Sequence, residues 1–318
     1  MPLVEPSGYR SPAWLRNGHA QTIFPALFRR LPLVTRRRER LELSDGDFLD
    51  LDWNTDRRAD RVAILTHGLE GTSANAYVQG MAAALVRAGW DVLAWNLRGC
   101  SGEPNRLLRS YHSGVSDDLK CVVEHALATG RYRRAALVGF SIGGNLTLKY
   151  LGESPPDSRV DRAVVFSVPC DLGASSRKLE SRSNRLYMQR FLETLAKKIR
   201  EKIQRFPGQL RDQGLRDMRT FAEFDEAYTA PLHGFANAQD YWQRASSQPV
   251  LPNIQTRTLL VSALDDPFLS AECFPHEAAH ANPHFFLETP ERGGHLGFVS
   301  FRRPNEYWSE TRAVEFLE

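Results

Sequence analysis

Apolar residues along this chain gather into short runs closed by polar or glycine-containing turns, and these runs alternate with longer stretches of helical spacing. Runs near Val62, Val92, Ala136 and Val164 predict strands, and residues 76–88, 117–128 and 142–151 predict helices that alternate with them. Strands that are apolar at consecutive positions must be buried on both faces, so the alternation predicts an α/β fold with a mostly parallel sheet covered by helices on each side. Ahead of these, runs at 39–43 and 48–53 flank Asp45-Gly46, a hairpin signal that adds two leading antiparallel strands. Two later runs, 258–262 and 285–288, continue the sheet.

Between the strand that ends near Val168 and the one that begins near Thr258, residues 171–248 are rich in helix formers and too long for a simple connection. They predict a helical cap insertion. The domain reading is therefore an N-terminal arm (1–38) packing on the core, a core formed by 39–170 and 249–318, and a cap at 171–248. Within the cap, Lys197, Lys198, Arg200, Lys202 and Arg205 predict one solvated helix face. Phe221, Phe224, Tyr228, Phe235, Tyr241 and Trp242 predict a cap core, and any of them that turn inward would roof an apolar acyl pocket.

The chemistry centres on Gly139-Phe140-Ser141-Ile142-Gly143, which follows the apolar run 135–138 and opens a helix-like stretch. A serine between two glycines on a sharp strand-to-helix turn is held in a strained backbone with its hydroxyl clear of the sheet, the arrangement of a nucleophile elbow. After the run 62–65 comes Thr66-His67-Gly68-Leu69-Glu70-Gly71, where a loop is expected to supply one oxyanion-hole N–H, from Leu69, with Ile142 supplying the other. Further on, the strand-like segments lead into Asp265-Asp266-Pro267 and Gly293-Gly294-His295. A serine hydroxyl is a weak nucleophile, so it needs His295 as base and an acid to orient that base. Asp266 is assigned as the acid over Asp265, because the residue before a proline sits at a strand end with the chain turned away from helix, leaving Asp265 to brace the loop. His67, Gly68, Gly139 and Gly143 border the site, His67 as a brace for the loop and not as a second base.

The order Ser, Asp, His and several longer strings together resemble the YheT-like esterases of the α/β-hydrolase superfamily, over nearly the whole chain. The strings are Asn17-Gly18-His19-Ala20-Gln21-Thr22, His67 to Gly71, Arg98-Gly99-Cys100-Ser101-Gly102-Glu103-Pro104-Asn105, Tyr111-His112-Ser113-Gly114, Gly139 to Asn145, Asp265 to Phe268 and Gly293 to Phe298. That resemblance implies an α/β-hydrolase fold and the same trio, Ser141 as nucleophile, Asp266 as acid and His295 as base. Two positions depart from the pattern: Ala20, where the family often has leucine, and Asn96, where related folds often have an acidic residue.

Composition adds limits. The chain of 318 residues is 42% hydrophobic with a formal net charge of +3, too small to argue for nucleic acid. The four cysteines, Cys100, Cys121, Cys170 and Cys273, lie far apart without metal-ligand spacing and suggest reduced thiols, with Cys100 in a loop near the site. No apolar stretch reaches the roughly 20 residues of a membrane span. The opening residues Met1 to Pro6 lack a secretory pattern, which makes the cytoplasm the default compartment. One local exception is Arg29, Arg30, Arg36, Arg37, Arg38 and Arg40 with Trp14, Phe24, Leu27, Phe28, Leu31 and Leu33, read as a solvated arm against the core edge, with peripheral contact to anionic lipid as the alternative.

The functional expectation is a serine hydrolase that cleaves a small-molecule carboxylic ester with a short-to-medium or lipid-like, apolar acyl group, needing no metal or organic cofactor. Thioester or amide cleavage on the same trio, or ligand binding without catalysis, are the alternatives.

Overall fold

The computed structural model of the chain describes residues 2–5, 7–31, 36–55, 59–301 and 306–318. Met1, Pro6 and Leu33 lie outside the described residues. Among the described residues eight strands form one sheet: β1 (Arg37–Glu42), β2 (Phe48–Asn54), β3 (Arg61–Thr66), β4 (Asp91–Trp95), β5 (Arg134–Phe140), β6 (Val160–Phe166), β7 (Arg257–Val261) and β8 (Phe285–Glu288). Their order is β1-β2-β4-β3-β5-β6-β7-β8. The β1–β2 and β2–β4 pairs are antiparallel and all others parallel. The predicted hairpin closes through Gly46 in the left-handed region (φ +86°), where its N–H donates to Leu43 O at 3.0 Å.

The period-2 alternation of the strands divides the core into two layers. Val62 and Ile64 of β3, Leu93 and Trp95 of β4, and Leu137 of β5 pack with α3 (Ser116–Ala128) and α4 (Ile142–Glu153). Ala63 and Leu65, Val92 and Ala94, and Val138 face the other way onto α2 (Ala76–Arg87) and α11 (Trp308–Leu317). Before the sheet, α1 (Gly18–Phe28) is capped by Asn17, whose side chain accepts from His19 N and Ala20 N.

Between β6 and β7 the chain forms α5 (Leu172–Leu179), α6 (Arg185–Arg205), α7 (Phe221–Phe224), α8 (Ala230–His233) and α9 (Ala238–Ala245), with a π turn over Asp225–Thr229. A short α10 (His276–Ala281) separates β7 from β8. Helix α6 buries Met188, Leu192, Ala196, Ile199 and Lys202, positions three or four apart that make a single inward stripe. The reading of its basic residues as one solvated face is corrected here. Lys197, Arg200 and Arg205 are exposed, but Lys202 is 5% exposed and gives hydrogen bonds to Asn105 Oδ1 (2.9 Å) and Leu107 O (2.7 Å), and Lys198 is half-buried.

Five of the six arginines singled out between 29 and 40 are engaged with acids, and Arg30 is exposed. Arg29 pairs with buried Glu310, Arg36 and Arg38 with Asp52, Arg37 with Glu39, and Arg40 with Asp50 and Glu103. Trp14, Leu27 and Phe28 nonetheless stay exposed, with Phe301 stacked on Trp14. The two ends of the Arg98 to Asn105 string are buried and act as a scaffold, while Gly102, Glu103 and Pro104 are exposed: Arg98 binds Asp118, Asp47 and Asp45, and Asn105 donates to Asp47 Oδ2 at 2.7 Å. Asn96 is buried, bonded to Ser73 N and Asp50 O. Among the described residues no helix is long and apolar enough to cross a membrane.

Candidate active site

Three strands deliver the site at their carboxyl ends, where open parallel sheets leave a crevice. Ser141 directly follows β5 and precedes α4, with φ +53° and ψ −123°, a left-handed conformation that is costly for any residue with a Cβ. It is held there by its own N–H, which donates to Phe166 O at 2.9 Å, and by its carbonyl, which accepts from Gly144 N and Asn145 N. Glycine is required on both sides because the backbones nearly touch. A Cβ at Gly139 would meet Gly143 O and Gly144 Cα at 2.6 Å, and one at Gly143 would run into the carbonyls of Thr66 and His67.

After β8, the loop Gly293 to Phe298 carries His295 to the serine. His295 Nε2 lies 3.0 Å from Ser141 Oγ, and Nδ1 lies 2.9 and 3.1 Å from the two oxygens of Asp266. Asp266, beyond β7, is 3% exposed, and its Oδ1 also accepts the Phe268 N–H at 2.9 Å. With Nδ1–H donated to a buried carboxylate, Nε2 is left as the acceptor for the serine hydroxyl. The Phe268 ring covers the imidazole at 4.3 Å between centroids, which limits its rotation. Asp265 points elsewhere: its Oδ1 accepts Gly294 N–H at 2.9 Å and its Oδ2 has no partner among the described residues. Burial, aided by the neighbouring Asp266 charge, pushes its carboxyl up.

The loop after β3 crosses beside the serine. A Cβ on Gly68 would sit 3.2 Å from Ser141 Cβ, and Gly68 N–H donates to Tyr77 OH at 3.0 Å. His67 is fully buried, with Nδ1–H donated to Gly68 O (2.8 Å) and Nε2 accepting Leu97 N–H (3.1 Å). Burial pushes its imidazole down to about 4, so it is a neutral brace. Leu69 and Ile142 flank the serine, and their N–H groups have no acceptor among the described residues. The Ile142 N–H belongs to the first turn of α4, where helical N–H groups lack intrahelical partners.

Several supports escaped the sequence reading. Thr22 Oγ1 accepts His295 N–H at 2.9 Å and donates to Gly18 O at 2.7 Å, while Gly18 packs on the Asp265 backbone. Gln21 is buried, bonding Tyr9 OH, Leu15 O and Val299 N. The Asn17 to Thr22 string thus anchors the loops of Asp266 and His295, and in the sequence it was visible only as one of the strings that carry the family resemblance. A second support is Glu70, at φ +53° in the loop that carries Leu69. Tyr111 OH accepts Glu70 N–H (3.0 Å) and donates to Glu70 Oε1 (2.6 Å), and Lys198 Nζ from α6 reaches the same oxygen (2.8 Å) and Cys100 Sγ (3.0 Å). Burial raises the Cys100 thiol to about 11, so it rests as a thiol.

A cavity of about 130 Å³ opens on Ser141 and His295, walled by core loops and by the β6–β7 excursion. Leu172, Leu179, Phe191, Leu195, Phe221 and Phe224 give it an apolar lining. Of the aromatics expected to pack inside the excursion, Phe221, Phe224, Tyr228, Tyr241 and Trp242 also line this space. Among the described residues no group of three or more His, Cys, Asp or Glu side chains is arranged to hold a metal ion.

Residues 63–301 match the family model described as the alpha/beta hydrolase fold. The chain is an α/β-hydrolase. Among curated relatives, this α/β-hydrolase is 36% identical to "Putative esterase YheT" of Escherichia coli (strain K12), over 95% of this chain and 90% of that protein. It is 28% identical to "Phospholipase ABHD3" of Homo sapiens, over 94% of this chain and 75% of that one. A solved structure with the same fold is the Pyrococcus furiosus esterase Pf2001, with a TM-score of 0.59 at 17% identity, covering 89% of this chain and 92% of that chain.

Proposed function

We propose that this α/β-hydrolase is a serine esterase that acts through an acyl-enzyme. The observation that carries the reading is the chain of contacts from Asp266 through His295 to Ser141, at 2.9 and 3.0 Å. Ser141 Oγ attacks the ester carbonyl carbon as its proton passes to His295 Nε2, and Asp266 stabilises the imidazolium that forms. The carbonyl oxygen, now anionic, receives the Leu69 and Ile142 N–H groups. Collapse breaks the bond to the alcohol oxygen, which leaves with the proton from Nε2, and Ser141 keeps the acyl group. Water then repeats the sequence, losing a proton to Nε2 as it attacks and releasing the acid with Ser141 reprotonated.

The substrate is a small-molecule ester. The apolar lining supports an apolar acyl group, and the volume is on the scale of the roughly 150 Å³ engineered cavity that admits benzene, which favours the short end of a short-to-medium range while the excursion keeps its present position. In this reading the excursion is a cap.

Labelling with a fluorophosphonate, followed by intact mass and peptide mapping, tests the proposal. A single adduct on Ser141, lost in Ser141→Ala and sharply slowed in His295→Ala, is the expected result; a folded protein that never labels overturns it. A matched panel of ester, thioester and amide then fixes the leaving atom.

A further inference from the structure

Two imidazoles interrupt the apolar wall of the cavity. His112, in the loop between β4 and α3, and His233, at the end of α8, both line it, with ring centroids 4.7 Å apart and planes tilted by 54°. We infer that His112 and His233 form a subsite for a neutral hydroxyl group carried by the substrate. The inference deepens the esterase reading and rests on it.

Hydrogen-bond polarity carries the argument. Gly114 N–H donates to His112 Nδ1 at 3.2 Å, so the ring proton of a neutral His112 is on Nε2, a donor with no acceptor among the described residues. His233 has no hydrogen-bond partner among the described residues for either ring nitrogen, and as a neutral ring it offers one donor and one acceptor. Both rings are held neutral: burial first, then Arg109, Lys149 and Arg244 around His112, and His112, Arg109, Lys202 and Arg98 around His233, push each down to about 3. Edge-on contacts from Phe235 (5.4 Å) and Tyr241 (5.9 Å) fix the His112 ring in advance of any ligand. Asp225 also lines the cavity, but its oxygens are taken by Thr229 Oγ1 (2.6 Å) and Trp242 Nε1 (2.8 Å).

A hydroxyl both accepts and donates, so it completes this pair, accepting from His112 Nε2–H and donating to the bare nitrogen of His233. A methyl group in its place would desolvate both nitrogens without pairing them, and a carboxylate would bring a buried charge to uncharged rings. Sites built to pair a hydroxyl reject the analogue that lacks it far more strongly than apolar pockets discriminate by size.

The hydroxyl belongs either to the acyl chain or to the alcohol, and two substrate pairs separate these sources: p-nitrophenyl 6-hydroxyhexanoate against p-nitrophenyl hexanoate, and 6-hydroxyhexyl acetate against hexyl acetate. In one pair the hydroxylated ester is expected to have a kcat/KM at least ~10-fold higher, mainly through KM. That ratio should fall to about one in His112→Phe and His233→Leu and survive in His233→Gln, which keeps a donor and an acceptor. Equal rates within both pairs, or a preference untouched by the two variants, overturns the inference while leaving the esterase reading in place.

A measurement without turnover stands beside it. Imidazole nitrogen NMR of the intact Ser141→Ala protein should show the His112 and His233 signals moving with 1,6-hexanediol and not with 1-hexanol. Failure of the diol to move them overturns the subsite even where no ester is cleaved.

Discussion

Lys198 Nζ, on helix α6 of the β6–β7 excursion, lies 2.8 Å from Glu70 Oε1, in the loop whose preceding residue is Leu69. One ion pair thus ties the roof of the cavity to the loop proposed to stabilise charge in the reaction. Because Glu70 has a positive φ, the loop's shape depends on what holds that side chain. Lys198→Met should lower kcat by about 10-fold with little change in KM, less than the 10²–10³ lost when an oxyanion donor is removed outright. Lys198→Arg should recover part of the loss. Steady-state kinetics with a short ester, alongside the fluorophosphonate labelling rate, would check this.

The two adjacent aspartates should separate cleanly. If Asp266 is the orienting acid, as proposed, Asp266→Asn is expected to reduce kcat by about 10⁴, the loss that removing the orienting carboxylate causes in serine triads. Asp265→Ala removes the acceptor of Gly294 N–H and should cost about 1–3 kcal/mol of stability with kcat within about 10-fold of the parent. A reversed pattern in kinetics and urea melts would transfer the acid role to Asp265.

Thr22 tests the anchoring helix. Thr22→Val leaves His295 N–H without its acceptor, so kcat should drop and stability should fall by about 1–3 kcal/mol, while Thr22→Ser should restore both. Thermal melts and kinetics on the three proteins would show whether the loop depends on this bond.

Acid should weaken the fold before it protonates these rings. His67, His112 and His233 have folded-state values of about 4, 3 and 3, below the ordinary histidine range. Between about pH 6.5 and those values the unfolded chain binds protons that the native state refuses, so stability falls as pH falls, by roughly 1–2 kcal/mol per imidazole from pH 7 to 5. Asp225, raised to about 6 by burial, acts in the opposite sense and offsets part of the loss. Urea midpoints across pH 5–7 should slope downward toward acid, and the slope should lessen in His112→Phe/His233→Leu.

Legibility from sequence followed the range of each interaction. The strands were readable because burial on two faces leaves consecutive apolar residues, and the Asp45-Gly46 turn because its backbone demands glycine. Ser141, Asp266 and His295 were singled out because each follows a strand, and the structure brings the three side chains into contact. Lys198 and Lys202 were not, since a basic helical face has the same sequence whether its ammonium groups meet water or partners about a hundred residues away. Thr22 was hidden for the same reason: its partner is 273 positions along the chain, and nothing local marks a threonine as an acceptor.

That separation bears on when reactivity first arises. A chain growing on the ribosome carries Ser141 long before residue 295 exists, 154 positions later, and the loop of the proposed base is bonded in turn to helix α1. On the proposed reading, the nascent polypeptide holds its serine without a proton acceptor until the loop after β8 has been made and has met helix α1.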